Sequence, residues 1–130
     1  MPLKSYKELI VWQKAYQLTL MIYKETEKFP RSEVFGISSQ LRRASVSIVS
    51  NIAEGYQRQH GGEYIQFLSI AFGSCAEVET QLLLCKDLNY LSESNSVILT
   101  NLLTEVGKML YALITKIKEN NVRKGFGRKQ

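Results

Sequence analysis

Apolar residues recur at steps of three and four along four separate segments of the chain, the spacing of one face of an α-helix. The clearest seam runs from Tyr64 to Cys85 and is sustained for three heptads. No segment alternates apolar and polar residues in the manner of a β-strand. The pattern predicts an all-α fold, an antiparallel up-down-up-down four-helix bundle with helices at about residues 5–29, 36–59, 63–88 and 93–119.

Capping residues and helix breakers set the predicted ends of these helices. Ser5, with Glu8 three residues later, forms a capping box at the first helix, which ends before Pro30 because proline disfavours helical geometry in the preceding residue. Asn89 tolerates the left-handed conformation that closes the third helix, and Ser92 caps the fourth. The second helix has two candidate N-caps, between which the sequence does not choose: Ser32 and Ser38.

The stretch from Gln40 to Gly55 organises the second helix. On a helix its apolar residues cover an arc of about 200°, wider than a surface helix needs, so this helix is expected to be buried on most sides. The polar residues that remain fall in one row at steps of three and four. They are Gln40, Arg43, Ser47, Asn51 and Glu54.

This polar row has two interpretations. It is either a binding or catalytic site, or a satisfied hydrogen-bond network that fixes the register of packed helices or subunits. The network is the favoured interpretation, since buried polar groups must find partners wherever they lie. Gly55 lies within the apolar arc, and we interpret it as a close contact with another helix at least as readily as a C-cap.

The length and composition indicate a single domain without a cofactor. At 130 residues the chain matches one domain, with no apolar run approaching the roughly 18 residues of a membrane span and no signal peptide. Cys75 and Cys85 would lie about 15 Å apart on one helix, too far for a disulfide, and they make no zinc site with the single histidine. The sequence predicts a cytoplasmic protein with core thiols, no metal and no cofactor.

The net charge of +5 is concentrated at the C-terminus. Residues 1–115 contain 11 Lys and Arg and 11 Asp and Glu, whereas residues 116–130 contain six basic residues against Glu119. A bundle at 1–119 is therefore predicted to be followed by a basic flexible tail at 120–130, which lacks the apolar content to fold alone.

Several short motifs occur in an order that resembles a known family. They are Leu9-Ile10-Val11-Trp12-Gln13-Lys14-Ala15, Phe29-Pro30, Gln40-Leu41-Arg42-Arg43-Ala44, Ser47-Ile48, Asn51-Ile52-Ala53-Glu54-Gly55 and Ile70-Ala71-Phe72-Gly73-Ser74. Over about residues 3–115 they resemble the four-helix-bundle family named after proteins encoded in intervening sequences of bacterial 23S ribosomal RNA genes. One departure is Asn89, where the family pattern has glycine.

The resemblance implies a bundle that assembles as a ring, with a pentamer as the expected size. Several predicted helices are apolar on more than one face, which independently favours a homo-oligomer. The resemblance also implies kinship with the accessory bundle protein of diversity-generating retroelements, which partners a reverse transcriptase and binds nucleic acid. It implies no activity, and no catalytic residues are carried over from it.

Two non-enzymatic functions follow from these features. The first is a homo-oligomeric bundle associated with RNA or a nucleoprotein, with basic side chains on phosphate and an aromatic ring stacked on a base. The alternative is an oligomeric scaffold or accessory protein for a protein partner such as a reverse transcriptase. The basic tail is weighed equally as a contact and as a solvated terminus. The candidate nucleic-acid contacts are Arg42, Arg43, Arg123, Lys124, Phe126, Arg128 and Lys129.

An enzyme is disfavoured. Such an enzyme would have to use the row that contains Arg43, Asn51 and Glu54. The sequence offers no activated nucleophile, no histidine base beside an acid, no glycine-rich phosphate loop and no metal cluster.

Overall fold

The computed structural model describes residues 5–58 and 62–128, with side chains described as far as residue 124. The described residues form four α-helices and no β-strand, which confirms the predicted all-α fold. Two short 3-10 turns, Tyr6–Glu8 and Arg31–Glu33, precede the first and second helices. The helices are α1 Ile10–Thr26, α2 Ile37–Gln57, α3 Tyr64–Asp87 and α4 Glu93–Arg128.

The first helix is shorter than predicted. Ser5 accepts a hydrogen bond from the Lys7 N–H at 3.1 Å, but this cap serves only the 3-10 turn. Leu9 is extended, with ψ of 125°, and separates that turn from α1. At the other end the Thr26 hydroxyl donates to two carbonyls of the last helical turn, and α1 stops there. The structure thus corrects the predicted range 5–29.

Neither predicted N-cap of α2 is used. Gly36 occupies the N-cap position, and the Glu33 carboxylate of the preceding turn accepts the Ile37 N–H at 3.4 Å. Glu33 therefore provides the acceptor that a serine side chain was expected to supply. The prediction of Ser32 or Ser38 as the cap is wrong, and Ser38 is buried in the first turn of the helix.

The connection between α3 and α4 follows the prediction. Asn89 has a φ of 64°, and the Tyr90 N–H donates to the Cys85 carbonyl at 2.9 Å, which forms a Schellman motif. Ser92 Oγ accepts the Asn95 N–H at 3.1 Å and caps α4. The left-handed turn and this cap together hold α3 and α4 side by side.

The fourth helix continues past its predicted end at residue 119 as far as Arg128. Asn120 and Asn121 have modest helix propensity, but no proline follows them, and each further residue extends an existing helix at little cost. The predicted division between a bundle at 1–119 and a tail at 120–130 is therefore not a boundary of the helix. Lys129 and Gln130 lie outside the described residues.

Each helix packs against two neighbours, in the cyclic order α1, α2, α3, α4 and back to α1. Side-chain contacts between helices give their directions. Between α1 and α2, Thr19 contacts Ser45 and Thr26 contacts Arg42. Between α1 and α4, Lys14 contacts Glu105 and Glu25 contacts Asn95. In both pairs the residue numbers rise along one helix as they fall along the other, so these helices are antiparallel. The cyclic order makes the α1–α2 side and the α3–α4 side opposite faces of the bundle.

Large aliphatic side chains with almost no exposure fill the centre of the bundle. Full burial of each contributes about 1.5–3 kcal/mol relative to leaving it exposed. They include Leu18, Ile22, Ile48, Ile52, Leu68, Val78 and Leu110.

The helices α2 and α3 approach each other at Gly55. A Cβ atom added there would lie 3.0 Å from the Cβ of Phe67 and 3.1 Å from a ring carbon of Tyr64. Since α2 continues to Gln57, Gly55 is a close helix contact and not a C-cap. The interpretation as a helix contact is confirmed, and the C-cap interpretation is wrong.

Two of the helices, α3 and α4, are long and apolar enough to span a membrane by length and composition alone. Core helices of soluble proteins meet the same criterion, so this is weak support for a membrane span. In the most apolar segment of each helix, 39% of α3 and 28% of α4 is buried inside the bundle. Both helices expose large apolar side chains in the single chain, among them Ile70, Leu84 and Ile98.

Candidate nucleic-acid site

A cleft of about 470 Å³ opens where the end of α1, the turn at Arg31–Glu33 and the start of α2 meet. Three arginines and three serine or threonine side chains contribute to its lining, and we refer to it as the arginine cleft. These polar residues are Arg31, Arg42, Arg43, Thr26, Ser38 and Ser39.

Arg42 is held against one wall of the arginine cleft. Its guanidinium lies over the Tyr23 ring, 4.5 Å from the centroid. Its Nε donates to Thr26 Oγ1 at 2.7 Å, and its Nη2 donates to the Tyr23 carbonyl at 3.3 Å. A guanidinium carries five N–H groups, so three of them remain available in a fixed orientation.

Arg31 and Arg43 are exposed, and Arg43 Nη2 donates to Ser39 Oγ at 3.1 Å. Among the described residues, none of the three cleft arginines forms an ion pair with a carboxylate. Glu27 also lines the cleft, and three guanidinium groups with one carboxylate give a net formal charge of +2. The positive charge of the cleft is therefore not neutralised by its own walls.

The first turn of α2 adds neutral donors to this charge. The backbone hydrogen bonds of α2 begin with the Gln40 N–H, which donates to the Gly36 carbonyl at 3.1 Å. The N–H groups of Ser38 and Ser39 come before it, in the part of a helix whose N–H groups have no intrahelical acceptor. The partial positive charge of a helix N-terminus acts in the same direction as the guanidinium groups.

The middle of the predicted polar row joins α2 to α3. The hydroxyl oxygens of Ser47 and Ser74 lie 2.9 Å apart across the two helices. Asn51 Nδ2 donates to the Ser47 carbonyl at 2.7 Å and to its hydroxyl at 3.1 Å. These three side chains form the hydrogen-bonded contact between helices that the network interpretation describes.

The other members of the row make separate contacts. Arg43 belongs to the arginine cleft, and the Gln40 side chain is exposed. Glu54 pairs with Arg58 at 3.0 Å, and Arg58 also pairs with Glu63 at 3.2 Å. The row is therefore not one network along the helix, because its members face different neighbours.

Asn51→Leu is expected to lower the free energy of unfolding by about 1 kcal/mol, because the Ser47 hydroxyl loses its donor at a half-buried position. Thermal melting of the full chain measures the change. Gln40→Leu is the matched control in the same row, and its exposed amide should change stability by less than about 0.5 kcal/mol. An Asn51→Leu protein that melts like the unmodified chain would return support to the binding-site interpretation.

The remaining candidate nucleic-acid contacts lie on the C-terminal part of α4. Arg123 and Lys124 are exposed there. Phe126 and Arg128 belong to the helix by their backbone, but their side chains lie outside the described part of the chain, as does all of Lys129.

The arginine cleft and the end of α4 are far apart within one subunit. Asn95 near the start of α4 donates to Glu25, one residue before the Thr26 that holds Arg42. Arg123 follows Asn95 by 28 residues, which places it about 40 Å along the helix axis. The two predicted groups of contacts therefore do not form one surface in a single subunit.

The two thiols are buried and protonated. Burial raises the pKa of Cys75 to about 12, with Glu79 adding to the shift. Burial raises the pKa of Cys85 to about 11, with Glu33 adding to it. Neither thiol supplies a thiolate at neutral pH. Within residues 5–58 and 62–124, no three His, Cys, Asp or Glu side chains are grouped to hold a metal ion.

A groove of about 590 Å³ runs between α3 and α4 on the outside of the bundle, and we call it the α3–α4 groove. Phe72 and Tyr111 flank it with ring centroids 6.2 Å apart, while Ala76 and Gly107 leave space between the helices. The Tyr111 side chain is 64% exposed, although it is large and mostly apolar. The α3–α4 groove is an apolar surface that this chain does not cover.

The opposite side of the bundle also exposes apolar residues, and we call it the α1–α2 face. Tyr16, Leu20 and Tyr23 follow one another at steps of four and three, so they lie in one row on α1. All three are exposed, as is Val46 on α2, which lines the arginine cleft together with Tyr23. The bundle therefore carries two different apolar surfaces on opposite sides.

Sequence reasoning missed part of the arginine cleft. Arg31, Ser38 and Ser39 were not among the candidate contacts, although the structure brings them to Arg42 and Arg43. One local signal was available: Ser38 and Arg42, and likewise Ser39 and Arg43, are four residues apart and therefore neighbours on a helix. The contribution of Arg31 has no such signal, because it depends on how the turn folds back.

Comparisons with known proteins agree with this fold. The model of the 23S rRNA-intervening sequence protein family matches residues 7–112. A crystal structure of a protein of unknown function from the S23 ribosomal protein family of Bacteroides thetaiotaomicron is 29% identical, with a TM-score of 0.72. The match covers 81% of this chain and 98% of that one. No curated protein matches significantly.

Proposed function

Because the chain belongs to the 23S rRNA-intervening sequence protein family, we propose that it is a non-enzymatic, self-associating bundle of the cytoplasm that associates with RNA or a nucleoprotein. The observation that carries the RNA part of this proposal is the arginine cleft. Among the described residues, its three guanidinium groups form no ion pair with a carboxylate. Arginine is well suited to bidentate contacts with phosphate, and a group of cations without carboxylate partners attracts a polyanion.

The two apolar surfaces support self-association. They differ from each other and lie on opposite sides. We therefore propose that Tyr16 and Leu20 of the α1–α2 face, which do not line the arginine cleft, dock on the α3–α4 groove of the next subunit and leave the cleft open. Contact between two different patches is heterologous, and it closes into a ring when the rotation between subunits allows. The pentamer that the family resemblance implies is one such ring. A ring would repeat each basic site around an axis, so that one RNA strand could engage several weak sites.

The proposal assigns no catalytic step. The described residues offer no thiolate, because both cysteines are buried with raised pKa values. Arg43, Asn51 and Glu54 face different neighbours, so they do not converge on one reacting atom.

The RNA proposal is tested by removing two arginines from the cleft. Arg31→Ala with Arg43→Ala is expected to weaken binding of a short single-stranded RNA and to lower the salt slope by about 1.5, since each lost phosphate contact contributes about 0.7–0.9. Fluorescence anisotropy across a salt series measures both quantities. Both side chains are exposed, so the melting temperature should not change.

The matched control is Arg123→Ala with Lys124→Ala, which removes the same charge about 40 Å away. A smaller loss of affinity is expected from this control than from the cleft variant. Equal losses would show that binding follows overall charge, and a loss confined to the control would move the RNA contact to the end of α4. A chain that binds no RNA at low salt would leave the scaffold for a protein partner as the better function, which the uncovered α3–α4 groove favours.

A further inference from the structure

The arginine cleft has the size of a small-ligand site. Its walls come from α1, from the turn at Arg31–Glu33 and from α2. The volume of about 470 Å³ lies within the usual range for a small-ligand site of about 300–1,000 Å³.

The charge of the cleft matches a terminal phosphate better than an internal one. A phosphate monoester carries about −1.5 to −2 at neutral pH, whereas a phosphodiester carries a single negative charge. The three cleft arginines and Glu27 sum to +2. Glu33, the other nearby carboxylate, accepts hydrogen bonds from the Ile37 N–H and the Tyr90 hydroxyl, and it is not among the cleft-lining residues.

The donors of the cleft also match a group with several free oxygens. Arg42 is fixed by Thr26 and Tyr23 and keeps three N–H groups, while Arg43 lies beside the Ser39 hydroxyl. A monoester presents three terminal oxygens, and an internal phosphate presents two. A fixed guanidinium with hydroxyls beside it can engage all three oxygens through charge-assisted hydrogen bonds.

We propose that the arginine cleft binds a phosphate monoester, carried by the end of a nucleic-acid strand or by a free nucleotide. This inference rests on the proposed association with RNA for the first of these two sources. Arg42 is the oriented donor, Arg31 and Arg43 supply the remaining charge, and Ser38 and Ser39 add neutral donors.

The experiment measures binding of the full chain to one short RNA in three forms: with a 5′-phosphate, with a 3′-phosphate and with hydroxyls at both ends. A nucleoside monophosphate and the corresponding nucleoside serve as competitors, which separates the free nucleotide from the strand end as a source. The expected result is at least about tenfold tighter binding of one phosphorylated form, corresponding to one additional charge-assisted hydrogen bond. Arg43→Ala should abolish this preference, while Arg123→Ala, which removes the same charge outside the cleft, should leave it intact.

The outcomes separate this inference from the proposed function. Equal binding of all three RNA forms, weakened equally by Arg43→Ala, would overturn the monoester inference and leave the association with RNA standing. Binding of the nucleoside monophosphate without binding of any RNA would support the monoester site and overturn the association with RNA. Failure to bind either the RNAs or the monophosphate would overturn both.

Discussion

Tyr111→Glu is expected to convert the full chain from an oligomer into a monomer of 14.9 kDa at micromolar concentration. Tyr111 borders the α3–α4 groove and is 64% exposed in the single subunit, so the fold does not depend on its burial. Glutamate is a good helix former, and the helix should persist. In an assembled interface the same carboxylate would be buried without a partner, which strongly opposes association. Light scattering coupled to size exclusion measures the mass.

The control for this change is Asn101→Glu, at an exposed position of the same helix that does not line the groove. It adds the same charge and should leave the oligomer intact. If both variants keep the mass of the unmodified chain, the groove is not an interface between subunits. If the unmodified chain is already a monomer, the proposal of self-association is wrong.

Gly55→Ala is expected to destabilise the bundle by about 1 kcal/mol or more. The new Cβ would lie 3.0 Å from the Cβ of Phe67 and 3.1 Å from the Tyr64 ring, so α2 and α3 would have to move apart. Overpacking a tight contact costs about 1–3 kcal/mol, which exceeds the gain of up to about 1 kcal/mol in helix propensity. At equal protein concentration, the melting temperature should fall by about 3–5 °C per kcal/mol lost.

Gly73→Ala is the matched control in the interior of α3. A Cβ added at Gly73 meets no atom within 4 Å, so only the propensity gain remains and the melting temperature should rise. If Gly55→Ala stabilises the protein as much as Gly73→Ala does, the close approach of α2 and α3 at this point is not real.

The four helices were predictable because each carries a long apolar seam. The three-heptad repeat of α3 places the buried residues Leu68, Val78 and Leu82 on one side, and the structure uses that side for the core. The contact at Gly55 was foreseen on the same grounds, since a residue without a side chain lies inside an apolar arc. Periodicity is informative here because packing, rather than local propensity, provides most of the stability of a helix in a protein.

The helix ends were less predictable because they depend on single hydrogen bonds. Ser5 caps only a 3-10 turn and not the long first helix that was predicted, because Leu9 is extended and α1 begins at Ile10. Glu33 takes the capping role that Ser32 or Ser38 was expected to have, and it does so from the preceding turn. Such choices differ by about 1 kcal/mol and are decided by neighbours that the sequence pattern does not reveal.

The candidate site was predicted only in part. Arg42 and Arg43 were identified from the sequence, whereas Arg31 joins them through the fold of the turn. The polar row was predicted as one continuous row on α2. In the structure Ser47 and Asn51 belong to the hydrogen-bonded contact with α3, whereas Arg43 lines the cleft. A helical row predicts which residues are neighbours on one helix and not which surface each will face in the bundle.

We propose that this chain forms an oligomer that binds RNA. The most direct measurement is the mass of the full chain by light scattering, first alone and then with a short single-stranded RNA of known mass. We expect a multiple of 14.9 kDa for the protein alone and a higher mass, by one or more RNA strands, for the mixture. A species at 14.9 kDa that elutes separately from the RNA would contradict it.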